Sequence, residues 1–328
     1  MTSTIARQST AADIAAALRG AQRILVLSHL RPDGDCLGSS GGALLALQAL
    51  GKTVAGYNAS GVPDKLAFIP GMGLVSTELP AWEPDIWLFL DCGGPTRVAP
   101  GLAPTGTVIN IDHHATNEMF GAHNWVDSTA CAVGEQMLDL VDALGVEVTP
   151  GIATAICTAI LTDTGGLRYS SVRPETFEAV ARLARAGANP AAICQAVFES
   201  RRRGELLLIG RVYSRLEFLS AGRLSVSEIS QADYAEAGGE DMEPDGLSGD
   251  LRAIEGVEMS ILFHEVEGGG LRAGFRGKGN VDCTVVARQF GGGGHFNASG
   301  AYIKGCDYAQ TKKAIIDAAT RLIEETMG

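Results

Sequence analysis

Five aspartates and three histidines in four short segments are the residues of this chain best suited to hold cations. They are His29, Asp33 and Asp35 in His29-Leu-Arg-Pro-Asp-Gly-Asp35; Asp91; Asp112, His113 and His114; and Asp163 in Leu161-Thr-Asp-Thr-Gly-Gly166. Mixed carboxylate and imidazole donors suit Mn²⁺, Mg²⁺ or Zn²⁺, and an acidic cluster of this size suits two ions sharing a bridging carboxylate. Any one of these residues alone is equally well explained as a turn or helix-cap residue. Four such segments, each beside an apolar element, point to a common site.

The apolar elements supply the positioning. Arg23-Ile-Leu-Val-Leu-Ser28, Ile86-Trp-Leu-Phe-Leu90 and Thr107-Val-Ile-Asn-Ile111 are short runs of buried-strand type that deliver His29, Asp91 and Asp112 at their carboxyl ends. In an open α/β sheet, ligands bind beyond those ends. A helix over residues 11–18, capped by Thr10, precedes the first strand. Pro32 and Gly34 make residues 29–35 a tight loop, and Gly38-Ser-Ser-Gly-Gly42 opens a helix over 43–50. Residues 53–57 add a strand. From about residue 130 the pattern is helical, over 132–144, 151–161, 174–185 and 190–199. These alternations predict an α/β fold with a mainly parallel sheet flanked by helices.

Arg201-Arg-Arg203 begins a predicted helix over 205–219, read as a solvated helix start in an interdomain linker. Past residue 220 strands are predicted over 224–229, 257–265, 271–276 and 301–304, with helices over 283–289 and 309–325, a second, smaller α/β domain. The boundaries expected are 1–195, a helical linker 196–220, and 221–328. Between helix and strand in the second domain stands Phe290-Gly-Gly-Gly-Gly-His295-Phe-Asn-Ala-Ser-Gly300. Its glycines are expected to expose backbone N–H groups that cradle an anion, with His295 beside them.

Composition bounds these readings. At 328 residues the chain exceeds the ~250–300 at which single cores stop growing, which favours two domains. A net charge of −12 argues against gripping long duplex nucleic acid through a broad basic face. Short nucleotides held through cations stay compatible with it. The seven cysteines form no CxxC pair, which suits reduced, buried thiols. No apolar stretch reaches the ~18 residues of a membrane span, and Met1-Thr-Ser-Thr-Ile-Ala-Arg7 lacks a secretion-signal pattern. A soluble, cytoplasmic protein is expected.

In order and spacing, His29-xxx-Asp33-x-Asp35, Asp91 at a strand end, Asp112-His113-His114 and Thr162-Asp163-Thr-Gly165 resemble the four motifs of the DHH phosphoesterase superfamily. The Gly291-to-Gly300 stretch is similar to the signature of its associated C-terminal domain. The likeness spans nearly the whole chain and is greatest to the bacterial oligoribonuclease (nano-RNase) and 3′-phosphoadenosine 5′-phosphate (pAp) phosphatase branch. It implies that His29, Asp33 and Asp91 hold one ion, and that Asp35, Asp91, His113 and Asp163 hold the other. Asp91 would bridge, His114 would face the phosphate, and Asp112 would orient its neighbours. Arg276, Gly292, Gly293, Gly294 and His295 match positions that grip the nucleotide. Cys36, Cys92 and Gly277 depart from residues frequent at those places.

The implied activity is hydrolysis of short RNA or DNA oligonucleotides to mononucleotides, or of pAp to AMP, by hydroxide generated between two ions, Mn²⁺ foremost and Mg²⁺ second. Such ions lie about 3.5–4 Å apart. A cleft between the domains would limit substrate length. A manganese pyrophosphatase would need a C-terminal Arg/Lys cluster that is not seen. A cyclic di-AMP or linear dinucleotide phosphodiesterase stays as the alternative enzyme, and a nucleotide-binding regulator as the non-enzymatic one. The regulator should have lost a ligand, and every expected ligand position is filled. Neither monomer nor homodimer is favoured by the sequence.

Overall fold

The computed structural model describes residues 8–99, 101–242 and 246–327. The reading of residues 1–7 for a secretion signal concerns residues outside these. Two compact units divide the chain, Met1–Ser200 and Arg201–Gly328. Among the described residues no helix is long and apolar enough to cross a membrane.

The first unit holds a six-stranded, all-parallel sheet of β1 (Arg23–Leu27), β2 (Thr53–Tyr57), β3 (Val75–Ser76), β4 (Ile86–Leu90), β5 (Thr107–Asp112) and β6 (His123–Val126), in the order β3-β2-β1-β4-β5-β6. Its helices are α1 (Ala11–Gly20), α2 (Gly34–Ala49), α3 (Val133–Leu144), α4 (Pro150–Asp163), α5 (Pro174–Arg185) and α6 (Pro190–Phe198). Strand alternation sorts the core. Ile24, Val26, Ile86, Leu88 and Leu90 face the helices, whereas Leu25, Leu27, Trp87 and Phe89 meet loop residues such as Val98, Leu102 and Phe120.

Helix α2 begins at Gly34 with Asp33 as its N-cap, several residues before the start expected from sequence. The glycines at 38, 41 and 42 are poor helix formers, yet here they let two helices touch. A Cβ on Gly34 would meet the Thr162 side chain at 2.3 Å, one on Gly38 the Ala155 carbonyl oxygen at 2.5 Å, and one on Gly42 the Ile156 side chain at 2.7 Å. Spaced four apart, they form one seam against α4. That seam brings the start of α2, with Asp35, beside the end of α4, with Asp163. Asp163 is accordingly the last residue of a helix and not part of a loop.

In the second unit, α7 (Arg203–Ser214) ends early and the chain turns into strand β7 (Glu217–Leu219), so the helix expected through residue 219 is shorter than read. Pairing with the next strand takes up the backbone there. The sheet contains β7, β8 (Leu224–Ile229), β9 (Met259–Glu265), β10 (Gly270–Gly277), β11 (Gly293–His295) and β12 (Ala298–Lys304), in the order β11-β12-β10-β9-β8-β7. Helices α10 (Cys283–Gln289) and α11 (Tyr308–Met327) cover one face through Val286, Ile315 and Ile323. On the other face α7, α8 (Gln231–Ala237) and α9 (Leu247–Arg252) pack through Leu208, Tyr234 and Leu251. Both α8 and α9 are too short to have shown a helical period in the sequence.

The glycine seam yields a stability prediction. Gly38→Val should destabilise the first unit by at least about 1–3 kcal/mol, the usual cost of overpacking, because the obstacle is backbone. Gly73→Ala, whose Cβ would meet nothing within 4 Å, should leave the melting temperature within error. Calorimetry of both variants checks this, and equal melting temperatures would deny the seam its role.

Candidate metal centre

Each candidate ligand occupies the exit of a strand or the end of a helix. His29 follows β1; its Nδ1 lies 2.8 Å from the Leu30 carbonyl oxygen, which leaves Nε2 towards the carboxylates. Asp33 caps α2 by accepting from the Cys36 N–H at 3.0 Å. Asp35, one turn into the site and 1% exposed, accepts from the backbone N–H groups of Val133 (2.8 Å) and Gly134 (3.1 Å) and from the Ser39 hydroxyl (3.1 Å). The first two donors are unpaired amides at the start of α3, so a helix N-terminus fixes this carboxylate.

Asp91 follows β4 with φ 54°, a left-handed backbone that few non-glycine residues adopt. Its N–H donates to Ile111 at 3.0 Å, and this holds the strained residue at the sheet's edge of exit. Asp112 closes β5 fully buried. One of its oxygens accepts from the His113 N–H (2.9 Å) and lies 2.8 Å from His114 Nδ1; the other accepts from the Asn117 amide at 2.5 Å. The Asn117 amide also reaches Asn110 Oδ1 at 2.7 Å, and the Asn110 amide donates to the Cys92 carbonyl at 3.0 Å. Neither asparagine was marked by the sequence, since a polar residue inside a strand, such as Asn110, or in the loop beyond it, such as Asn117, carries no sign of what it will support.

These exits converge. His29 Nε2 lies 3.7 Å from Asp33 and 3.5 Å from Asp91 Oδ2, while His113 Nε2 lies 3.9 Å from Asp35, 3.6 Å from Asp91 Oδ1 and 3.6 Å from Asp163. Among the described residues three groups of donor atoms, each mutually within 4.8 Å, could hold a metal ion: His29, Asp33, Cys36 and Asp91; Asp35, His113 and Asp163; and Asp91, His113 and His114. Cys36 is the member that sequence reading left out.

The electrostatics fit cations. Burial, then the neighbouring Asp91, Asp163 and Asp33, drives the Asp35 carboxyl well above the ordinary range. Burial and the repulsion of Asp91 and Asp33, opposed by His113, raise Asp163 to about 6. Burial works against a charge on His29, yet hydrogen bonds to Asp33 and Asp91 outweigh it and raise its pKa. The hydrogen bond to Asp112 raises His114 despite burial, and Asp112 is lowered, against burial, by His114 and Asn117. Asp91 Oδ1 is buried and takes no hydrogen bond. Carboxylates that burial and mutual repulsion push towards their neutral form, with one buried oxygen that takes no hydrogen bond, are a donor set suited to divalent cations.

The remaining candidates lie in the second unit. The Arg276 guanidinium is half-buried, donates to the Phe275 carbonyl at 2.9 Å and meets no carboxylate among the described residues; burial, then Arg252, lowers its pKa. The glycine stretch differs in part from the expected cradle. The N–H groups of Gly291 and Gly292 are turned into the end of α10, donating to Arg288 (3.2 Å) and Ala287 (2.8 Å), because a helix C-terminus leaves carbonyls to satisfy. Residues 293–295 form an edge strand on β12, so alternate backbone groups there point away from the sheet. Gly292 and Gly294 are required by their own sheet, since a Cβ would lie 2.1 Å from the Gly300 carbonyl oxygen or 2.6 Å from that of Ala298; Gly293 is open, and the positive φ values fall on Gly291 and Gly294. His295 sits exposed at the end of this strand.

Comparison with known proteins agrees with this geometry. The N-terminal domain of the DHH family matches residues 23–160, and the DHHA1 domain matches residues 226–325. The chain is 36% identical over 296 residues, covering 90% of it and 88% of the relative, to the bifunctional oligoribonuclease and PAP phosphatase NrnA of Thermus thermophilus. It is 28% identical to the protein of that name from Bacillus subtilis, over 87% of this chain and 91% of the other. An exopolyphosphatase-related protein from Bacteroides fragilis shares the fold, with a TM-score of 0.86 at 24% identity over 95% of both chains. The chain belongs to the DHH family, as a protein that joins a DHH domain to a DHHA1 domain.

Proposed function

We propose that this protein is a cytoplasmic, manganese-dependent hydrolase that cleaves short oligonucleotides to mononucleotides and removes the 3′-phosphate of pAp to give AMP. The observation that carries the proposal is Asp91, whose Oδ2 faces His29 and whose otherwise unpaired Oδ1 faces His113. One carboxylate thus serves two donor groups. His29, Asp33 and Asp91 would hold one cation, and Asp35, Asp91, His113 and Asp163 the other. Two bound cations supply neutralisation of the phosphate's charge and a water of lowered pKa.

The protein's own residues do the rest. Asp112 grips His114 Nδ1 and favours its protonated form, so His114 is set to donate a hydrogen bond to a phosphate oxygen or a proton to the leaving group. Asn117 and the His113 N–H hold Asp112 in turn. In the second unit Arg276, with no acidic partner among the described residues, and His295, with the edge backbone of residues 293–294, would bind a remote phosphate or base. The names of the relatives favour this substrate class over cyclic di-AMP. Purified protein incubated with pAp, pApA, cyclic di-AMP and RNAs of graded length, with and without Mn²⁺, tests it. Hydrolysis of pAp and the short RNAs only when cation is present is expected; turnover of the cyclic dinucleotide alone would overturn it.

Asp91→Ala should abolish turnover and lose bound manganese, measured by mass spectrometry, whereas Cys92→Ser should keep both. Near-normal hydrolysis with full metal content in Asp91→Ala would exclude a bridging role.

His113→Ala should lose metal, while His114→Ala should keep it and lose rate by about 10²–10⁴-fold, the usual contribution of a positioned acid–base group. Equal metal loss in both would mean the two roles are wrongly divided.

His295→Ala and Arg276→Ala should raise KM for pAp and dinucleotides by about 10–100-fold, as expected from losing a charge-assisted hydrogen bond of about 1.5–3 kcal/mol. Cleavage of bis-p-nitrophenyl phosphate, which needs only the metal centre, should be unchanged. Parallel loss on both substrates would place these residues in fold integrity instead.

A further inference from the structure

Cys36 lies in the first turn of α2, fully buried. Its Sγ belongs to the same set of donor atoms as His29, Asp33 and Asp91, every pair within 4.8 Å, and it lies 3.5 Å from the Asp33 carbonyl oxygen. The group around Asp35, His113 and Asp163 offers only nitrogen and oxygen. Adjacency to a ligand in sequence is not what makes this placement. Cys92, next to Asp91, directs its Sγ to the Gly94 carbonyl at 2.9 Å and packs among Leu25, Trp87 and Phe89. Asp91, 2% exposed, turns its Oδ2 to His29 at 3.5 Å, so a buried carboxylate oxygen faces the same place.

We propose that Cys36 Sγ is a direct ligand of the cation held by His29, Asp33 and Asp91, so that this position is a mixed sulfur, nitrogen and oxygen site and its neighbour is not. The proposal rests on the two-cation reading given above. Thiolate is a soft donor, and it selects thiophilic ions such as Co²⁺, Zn²⁺ and Cd²⁺ over Mg²⁺. On ligation the thiol S–H bond breaks, its proton passes to solvent, and the sulfur lone pair fills a coordination position; no electron is transferred. The two positions would therefore differ in cation preference within one centre. Asp91 would couple them.

Cobalt makes the sulfur visible. The metal-free full chain is titrated with Co²⁺ while uptake is followed by equilibrium dialysis and absorbance in the near ultraviolet. Wild type and Cys92→Ser should show a thiolate-to-cobalt charge-transfer band, and X-ray absorption at the cobalt edge should show a sulfur neighbour. Cys36→Ser should bind Co²⁺ without the band. Its preference for Cd²⁺ over Mn²⁺ should fall by at least about tenfold, the lower end of what losing even an outer partner of a metal ligand costs. Full cobalt loading of the wild type with neither band nor sulfur scattering would overturn the proposal, as would a band that survives in Cys36→Ser. Failure of the wild type to take up any Co²⁺ or Mn²⁺ would overturn the two-cation reading along with it. If Cys36→Ser does not fold, the wild-type spectra alone decide.

Discussion

Mutual repulsion among buried carboxylates is the constraint on which this molecule depends. Asp35, Asp91 and Asp163 stand within reach of the same imidazole, and no lysine or arginine pairs with them among the described residues. Anions taken out of water must be paired, protonated or bound to cations. Here the protein raises Asp35 and Asp163, draws protons towards His29 and His114, and leaves one oxygen of Asp91 unpaired. All three responses are those of a site built around positive charge that the polypeptide does not itself supply.

Holding such a cluster together requires rigid anchoring from outside it. The parallel sheet supplies three anchors, because His29, Asp91 and Asp112 each follow a buried strand at the same end. Two helix termini supply the others. The N-terminal amides of α3 bind Asp35, and the glycine seam between α2 and α4 brings Asp163 to it. Behind the imidazoles, Asp112 and two asparagines form a hydrogen-bonded support that ends on the Cys92 carbonyl. Asp91, at the centre, takes a left-handed backbone that the neighbouring strand holds, and Arg31 in the loop after the first strand takes one too.

The second unit solves a different problem with a different surface. Its sheet ends in a three-residue edge strand made mostly of glycine, and Gly294 within it and Gly292 just before it are needed so that backbone can lie against backbone. An edge with alternate amides directed outward, and an arginine without an acidic partner among the described residues, are both suited to an anion. The first unit would meet phosphate through cations and the second through hydrogen-bond donors. An acidic chain can therefore handle acidic substrates.

Much of this was legible in the sequence because it depends on local pattern. Apolar runs of strand length placed His29, Asp91 and Asp112 at strand exits, and residue type alone identified the hard donors. Helices such as Val133–Leu144 and Pro174–Arg185 carried their period and their terminal Gly or Pro openly. What sequence misjudged was decided by partners far along the chain. The glycines of α2 read as a loop because propensity is local, whereas their value lies in contact with α4 more than a hundred residues away. The amides of Gly291 and Gly292 read as an open cradle because nothing in the sequence shows that the end of α10 would claim them. Cys36 and Cys92 each follow a candidate ligand aspartate by one residue, yet of the two only Cys36 joins a donor group. A side chain's type is fixed by the sequence, but the direction in which it points is set by the helix or strand that carries it and by what packs against that element.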